Sequence, residues 1–566
     1  MVSTTSFRRL PVHRAQAVPM RDRIERVTED LKEIQIILSI SISSNRRGRL
    51  REYITAELRS LREEPFDLYD QQDKVDYFLL KNYLERQLRD LELNLERDEK
   101  AKPLYPFAAP LVELCEAREN VVPLVPKDVA GMLFQTQRDV LAVIDTVENA
   151  PKKISINKSS AFRAAKTVDD LREHLSEWFR FYKGYDPLFD WWVASPYSVI
   201  DDALTRLSSA IREKLVGIKL GDEDVIVGEP IYREGLLAEL QAEMIPYTPE
   251  EIIAIGEKEF AWCIKELEKA SQSMGFEDDW KRALEEVKDD YVDPGQQTQL
   301  VKKLAQEAIS FVEEYSLITV PQIAKETWQM FMMSPDRQKV NPFFLGGSSI
   351  IVSYPTDTMD HEAKLMSMRG NNIHFARATV FHELIPGHRL QFYMNARHRP
   401  YRQLFDTPFW IEGWSLYWEM ILWDDARFAK TPQNRIGMLF WRLHRCARII
   451  FSINFHLGRM TVQECIDLLV NQVGHERATA EGEVRRSLVG DYSPLYQAGY
   501  MLGALQIYAL RKEVVEGEGE GGLIREIDFH DRFLKENRMP IELMRALVTE
   551  GPLSRDYTPS WRFYRL

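Results

Sequence analysis

The 566-residue chain is long enough for roughly three or four domains, or for one large helical enzyme body. Its 74 Lys+Arg against 87 Asp+Glu leave a net charge of −13, which argues against a nucleic-acid partner, since such proteins present a basic face. Hydrophobic residues at 45% and aromatics at 11% exclude bulk disorder, and 27 Gly and 27 Pro exclude fibrous or low-complexity classes.

Cys115, Cys263, Cys446 and Cys465 are scattered and form no C-x-x-C pair, which points to a reducing compartment and no disulfide framework. The first 20 residues lack the apolar segment of a secretory signal. They carry Ser3, Thr4, Thr5, Ser6, Arg8, Arg9 and Arg14, with no acid before Asp22. A basic terminus on a cytoplasmic enzyme is the expectation, with a mitochondrial transit peptide as the alternative. The apolar stretch 34–42 is too short to span a bilayer and holds Gln35 and Ser39, so no membrane partner is expected.

Helical periodicity dominates from there. Residues 24–38 and 68–95 read as amphipathic helices, the second with Tyr77, Leu80, Leu84, Leu88, Leu91 and Leu95 at steps of three and four. Prolines break the pattern at 103–110 and at 123–126, and it resumes over 128–147 and 167–182. Trp178, Phe179, Phe181, Tyr182, Trp191 and Trp192 read as core. Thr248, Pro249, Glu250 and Glu251 form a helix start, with Thr at the cap and Glu three residues on, and the helix runs to about Met274. Residues 276–317 continue the theme. Residues 343–354 differ: β-branched and aromatic residues flank Gly346 and Gly347, so one or two strands are predicted, with the two glycines allowing close backbone approach by another group. The stretch 348–354 would offer its edge to an extended peptide.

The chemistry concentrates after that strand. His382-Glu383 is followed by Pro386-Gly387-His388, close to the H-E-x-x-H signature in which two histidines on one helical face bind zinc and the glutamate activates water. Here the second histidine comes at i+6, which on an ideal helix turns it well away from the first. Pro386 cannot donate to the carbonyl of His382, and Gly387 tolerates unusual dihedrals, so a break could swing His388 back. On spacing alone, a metal site and a helix ending at a Pro-Gly turn both remain open. Glu412, 24 residues after His388 and set between Trp410, Ile411 and Trp414, tilts the balance, because a two-His, one-Glu set is a known zinc set and a carboxylate among aromatics needs a partner. Glu419, seven residues on, could hold a ligand histidine from behind.

These motifs, His-Glu-x-x-Pro-Gly-His-x-x-Gln at 382–391, Glu-Gly-Trp at 412–414 and Tyr500-Met501-Leu502-Gly503, taken with Leu510-Arg511, Tyr105-Pro106-Phe107 and the helix start at Thr248, resemble the bacterial and fungal family catalogued as domain of unknown function 885. That family is similar to the gluzincin metallopeptidases. The resemblance implies a mainly α fold, a large helical body with a deep channel and a small β element near the active site. It implies one Zn2+ held by His382, His388 and Glu412, with Glu383 as general base and Tyr500 as the oxyanion donor, Tyr496 being the second candidate. Gln391 and Glu419 would support the ligands. Some relatives carry a further histidine at 389; Arg389 stands here, so no fourth ligand is expected. Gly346, Gly347, His456 and Arg511 are candidate substrate-binding residues.

The expected architecture is one continuous unit, with 1–245 forming a channel wall and 246–566 carrying the site. The expected activity is zinc-dependent hydrolysis of a peptide. Hydrolysis of a small amide, ester or lactone, and non-catalytic binding on a peptidase scaffold, are the alternatives. His361-Glu362 lacks a following histidine and reads as a surface turn; Glu481, Glu483, Arg485 and Arg486 read as a charged helix face; 516–522 reads as an exposed loop. No G-x-S-x-G elbow supports serine chemistry. The oligomeric state is not encoded in any of these patterns.

Overall fold

The structure, a computed structural model, describes residues 19–219, 225–338, 344–489, 492–517 and 522–566. The basic segment 1–18, Phe343 and the acidic glycines and glutamates of 518–521 lie outside the described residues. The chain is 72% helix and 1% strand, the strand being a single two-stranded sheet. Among the described residues no helix is long and apolar enough to cross a membrane.

Local signals set most helix ends. Thr248 accepts from the backbone of Glu251, and the Glu251 side chain accepts from the backbone of Thr248, a complete capping box opening the Pro249–Met274 helix. That helix ends at Gly275, in the left-handed region at φ +87°. Pro126 opens the Pro126–Asn149 helix at its first turn, where no backbone donor is needed. Gln71–Ala101, 31 residues and about 45 Å long at 1.5 Å per residue, is capped by Asp70.

The apolar cores do not divide at residue 245. One small core unites the helices Ala108–Glu119, Pro126–Asn149, Lys158–Tyr182 and Pro187–Ile211. The large core takes in helices Met20–Ile37 and Ser44–Arg62 and the first half of Gln71–Ala101, together with the C-terminal half of the chain. Polar contacts seal that union. Arg402 is fully buried and donates to Asp76 at 2.7 Å, to Glu536 at 3.1 Å and to Gln72 at 2.8 Å. Glu536 still faces Arg402 when Asp76 is removed, but the buried Nε loses its acceptor. Asp76→Ala is therefore expected to lower unfolding stability by about 1–3 kcal/mol in urea denaturation.

The aromatic group around residue 180 is split. Trp178 and Phe179 are buried, but Phe181 and Trp191 are exposed and Trp192 is 39% exposed, so only part of it serves as core.

The strand predicted over 343–354 is short, Ile350–Val352, and pairs in parallel with Met330–Met332, which the sequence did not announce. Its other edge is taken by Leu345, bridged to Ile351 by backbone bonds of 2.7 and 3.0 Å. The edge of 348–354 is thus not free for a substrate; residues 344–346 face the cavity instead. A small core of Leu300, Val301, Leu304, Ile350, Val352, Ala376 and Val380 seats this sheet against the helix that carries His382.

Candidate metal centre

The His382 helix, Ile373–Glu383, stops where the sequence interrupts it. Leu384 leaves the helical region, and a second helix, His388–Asn395, starts directly after Gly387. A Cβ on residue 387 would lie 1.9 Å from the carbonyl oxygen of His382, so only glycine fits the corner. The corner is pinned by the amide of Gly387 donating to Phe381 at 3.1 Å and by the Trp414 indole donating to the Pro386 carbonyl at 2.9 Å. The break brings the rings of His382 and His388 to 4.9 Å apart, at 86° to each other.

Glu412 comes from the helix Pro408–Asp424, which Thr407 caps and Pro408 opens. That helix packs backbone to backbone on Tyr496–Arg511: a Cβ on Gly413 would lie 2.7 Å from Gly503, and one on Gly503 would lie 2.2 Å from the Phe409 carbonyl oxygen. The two glycines explain why the Glu-Gly-Trp and Tyr-Met-Leu-Gly motifs belong together. Their contact sets Glu412 and Glu419 of one helix against Tyr496 and Tyr500 of the other.

The donor atoms converge. His388 Nε2 lies 3.1 Å and His382 Nε2 lies 3.6 Å from the same oxygen of Glu412. On the far side of each ring, His382 Nδ1 is 2.8 Å from Glu419, and His388 Nδ1 is 3.5 Å from Gln391, whose amide donates to the Trp410 carbonyl at 3.0 Å. Carboxylate and amide oxygens behind the rings favour protons on Nδ1 and leave the Nε2 lone pairs facing inward, as metal-binding histidines require. Ligand atoms of His382, Glu383 and His388 all lie within 4.8 Å of one another. Two carboxylates, Glu383 and Glu412, therefore approach the same two rings. All four side chains line one cavity of about 520 Å³. Such a set of imidazoles and carboxylates fits a divalent ion.

Without an ion the cluster is held by its own charges. Burial opposes the charged form of His382, but Glu412 and Glu419 outweigh it and raise its pKa to about 9. Burial also opposes ionisation of Glu412, yet His388 and His382 hold it well below the usual carboxylate range. Burial raises Glu383 against the pull of both histidines. Gly346 presses on that carboxylate: a Cβ there would lie 1.8 Å from a Glu383 oxygen, so a side chain at 346 would displace it.

The two tyrosines differ in where their protons go. Tyr496 donates to Glu412 at 2.5 Å. Tyr500 accepts from Arg486 at 3.2 Å, and among the described residues nothing takes its own proton. Its ring lies 6.3 Å from that of His382, and burial and Glu412 push its pKa up to about 12 against the nearby arginines.

Several expectations need correction. Gly347, at φ +136°, turns the chain beside the cavity without lining it. His456 is buried against a separate cavity of about 720 Å³, where burial and Arg97 lower its pKa to about 4. Arg511 is engaged by Glu526 and Glu516 and does not reach the site. His361 and Glu362 open a helix, His361–Gly370, capped by Asp360, and are not a turn. Arg389 donates to Thr327 outside the cluster. Glu483 and Arg486 are not a solvated face: they line the cavity with Arg445 and Arg448. Arg445 and Arg448 were not singled out from the sequence; their helix, Pro432–His456, is buried along most of its length, so these arginines lie in the interior. Tyr492 lines both cavities, and residues of the Gln71–Ala101 and Lys158–Tyr182 helices line the second.

No curated protein matches the chain. Among solved structures, a provisionally described lipoprotein of unknown function from Shewanella oneidensis superposes with a TM-score of 0.69 at 18% identity, covering 94% of this chain and all of that one. A protein from Colwellia psychrerythraea, also provisionally described as a lipoprotein, superposes with a TM-score of 0.59 at 15% identity, covering 94% and 97%. At these identities the likeness shows the fold alone. The model of the family described as bacterial protein of unknown function (DUF885) matches residues 39–548, nine-tenths of the chain and every residue of the centre, and the chain belongs to that family.

Proposed function

We propose that the protein is a metal-dependent hydrolase of the gluzincin type that cleaves peptide bonds. The observation that carries the reading is the convergence of two buried imidazole Nε2 atoms on Glu412, each ring backed by an acceptor on its other side. His382, His388 and Glu412 would hold one Zn2+. Bound there, the ion would polarise the scissile carbonyl and acidify a water molecule.

The chain's own residues supply the rest. Glu383, buried beside the ligands and braced by Gly346, takes a proton from the attacking water and returns it to the leaving nitrogen as the C–N bond breaks. Tyr500 donates its uncommitted proton to the carbonyl oxygen as negative charge develops on it. Tyr496 holds Glu412 in place. A cavity of about 520 Å³, with a second of about 720 Å³ sharing Tyr492 in its lining, favours an extended substrate over a small ester or lactone.

The test is digestion of a mixed peptide pool with and without chelator, read by mass spectrometry. Cleavage that stops on chelation and returns with Zn2+ supports the reading; cleavage indifferent to chelator removes it.

A further inference from the structure

We propose that the cavity recognises a free carboxylate on its substrate, that Arg445 is the residue that receives it, and that the enzyme accordingly cuts near the C-terminus of a peptide. The cleavage part rests on the hydrolase reading above; the carboxylate site does not.

Arg445 lies on the Pro432–His456 helix, is 8% exposed and lines the same cavity as Glu383 and Glu412. Among the described residues its guanidinium has no ion pair and no hydrogen-bond acceptor, and its Nε is sealed from solvent without a partner. Its near neighbours are the rings of Trp441 and Tyr500, at 5.1 and 5.0 Å. The two arginines beside it are committed elsewhere. Arg448 donates to Glu483 at 2.6 Å, and Arg486 donates to the Tyr500 hydroxyl. On this wall Glu483 is taken by Arg448, and the carboxylates that act on Arg445, Glu419 and Glu412, do so at longer range without a hydrogen bond or ion pair to it. Ring contacts return only part of the cost of burying a guanidinium, and the remainder calls for an anion.

The ligand class follows from the fork and its surroundings. A guanidinium presents parallel N–H groups that match a planar carboxylate. Glu383, Glu412 and Glu419 line the same cavity and oppose a dianion such as phosphate more strongly than a single carboxylate.

The position follows from Tyr500. Its ring is 6.3 Å from that of His382 and 5.0 Å from the Arg445 guanidinium carbon. The carboxylate receiver and the hydrolytic centre are therefore both neighbours of one aromatic ring. An extended chain advances about 3.3–3.6 Å per residue, so a C-terminal carboxylate on Arg445 sets the last or second-last peptide bond at the centre.

The experiment uses the full-length protein and two pools of N-acetylated hexapeptides of the same sequences, one with free C-terminal carboxylates and one amidated. Free-acid peptides are expected to be cut at the last or second-last bond, and amidated ones about 10- to 100-fold more slowly, as for loss of a hydrogen-bonded charge. Arg445→Gln should erase that difference mainly through KM, and Arg445→Lys should restore part of it. Equal cleavage of both pools leaves the hydrolase reading intact and overturns the carboxylate site. Equilibrium dialysis of the same pools with Glu383→Gln reads recognition without turnover. Preferential retention of the free acids supports the site even if the wild-type protein cuts neither pool, whereas no preference overturns it.

Discussion

Glu383→Gln is expected to lower turnover at least about 100-fold while metal content stays at the wild-type level. Glu383 directly follows the proposed ligand His382, its carboxylate reaches the convergent cluster, and burial raises its pKa, which suits a group that must accept a proton and give it back. Glutamine keeps the shape and removes the basicity. The competing assignment exchanges the two carboxylates, because Glu383 lies as close to the histidines as a ligand needs to. Glu412 is favoured as the ligand because both Nε2 atoms point at one of its oxygens while Tyr496 holds the other. Turnover measured beside elemental analysis separates the assignments: loss of metal in Glu383→Gln would make Glu383 the ligand.

Tyr500→Phe should depress kcat by about 100- to 1000-fold, with metal content and thermal stability nearly unchanged. Of the two phenols near the centre, only Tyr500 has a proton that no described residue accepts, and the Arg486 hydrogen bond to its oxygen makes that proton a better donor. Tyr496 spends its proton on Glu412. Tyr496→Phe is therefore expected to weaken metal binding by about 10- to 100-fold, as removal of a group supporting a ligand does, instead of acting on kcat alone. A Tyr500→Phe enzyme with near-wild-type kcat would move the oxyanion role to another donor.

Much of this site is legible in the sequence because its parts are local. The His-Glu pair, the Pro-Gly break and the acid between tryptophans each state their chemistry within a few residues, and the glycine at 387 does what the break requires. The helix start at Thr248 is equally local. What the sequence withholds is long-range. Asp76 meets Arg402 across 326 positions, so no periodic pattern could show that the first helices share the C-terminal core. Arg445 and Arg448, three residues apart, look like half of a charged stripe, and only long-range packing shows that they are buried. Arg511 and His456 carry the right chemistry for a substrate carboxylate but lie on the wrong sides of their helices, one tied to Glu526 and the other buried in the neighbouring cavity. The strand Met330–Met332 is three residues long, below the length at which alternation can be read.

The account stands or falls on whether His382, His388 and Glu412 hold an ion. Elemental analysis of the purified wild-type protein, beside a folded His388→Ala variant checked by circular dichroism, addresses this directly. About one equivalent of zinc in the wild type and a near-complete loss in the variant is the predicted result, since one of three ligands is gone. Full occupancy in His388→Ala, or a wild-type protein that takes up no divalent ion when zinc is supplied, would contradict it.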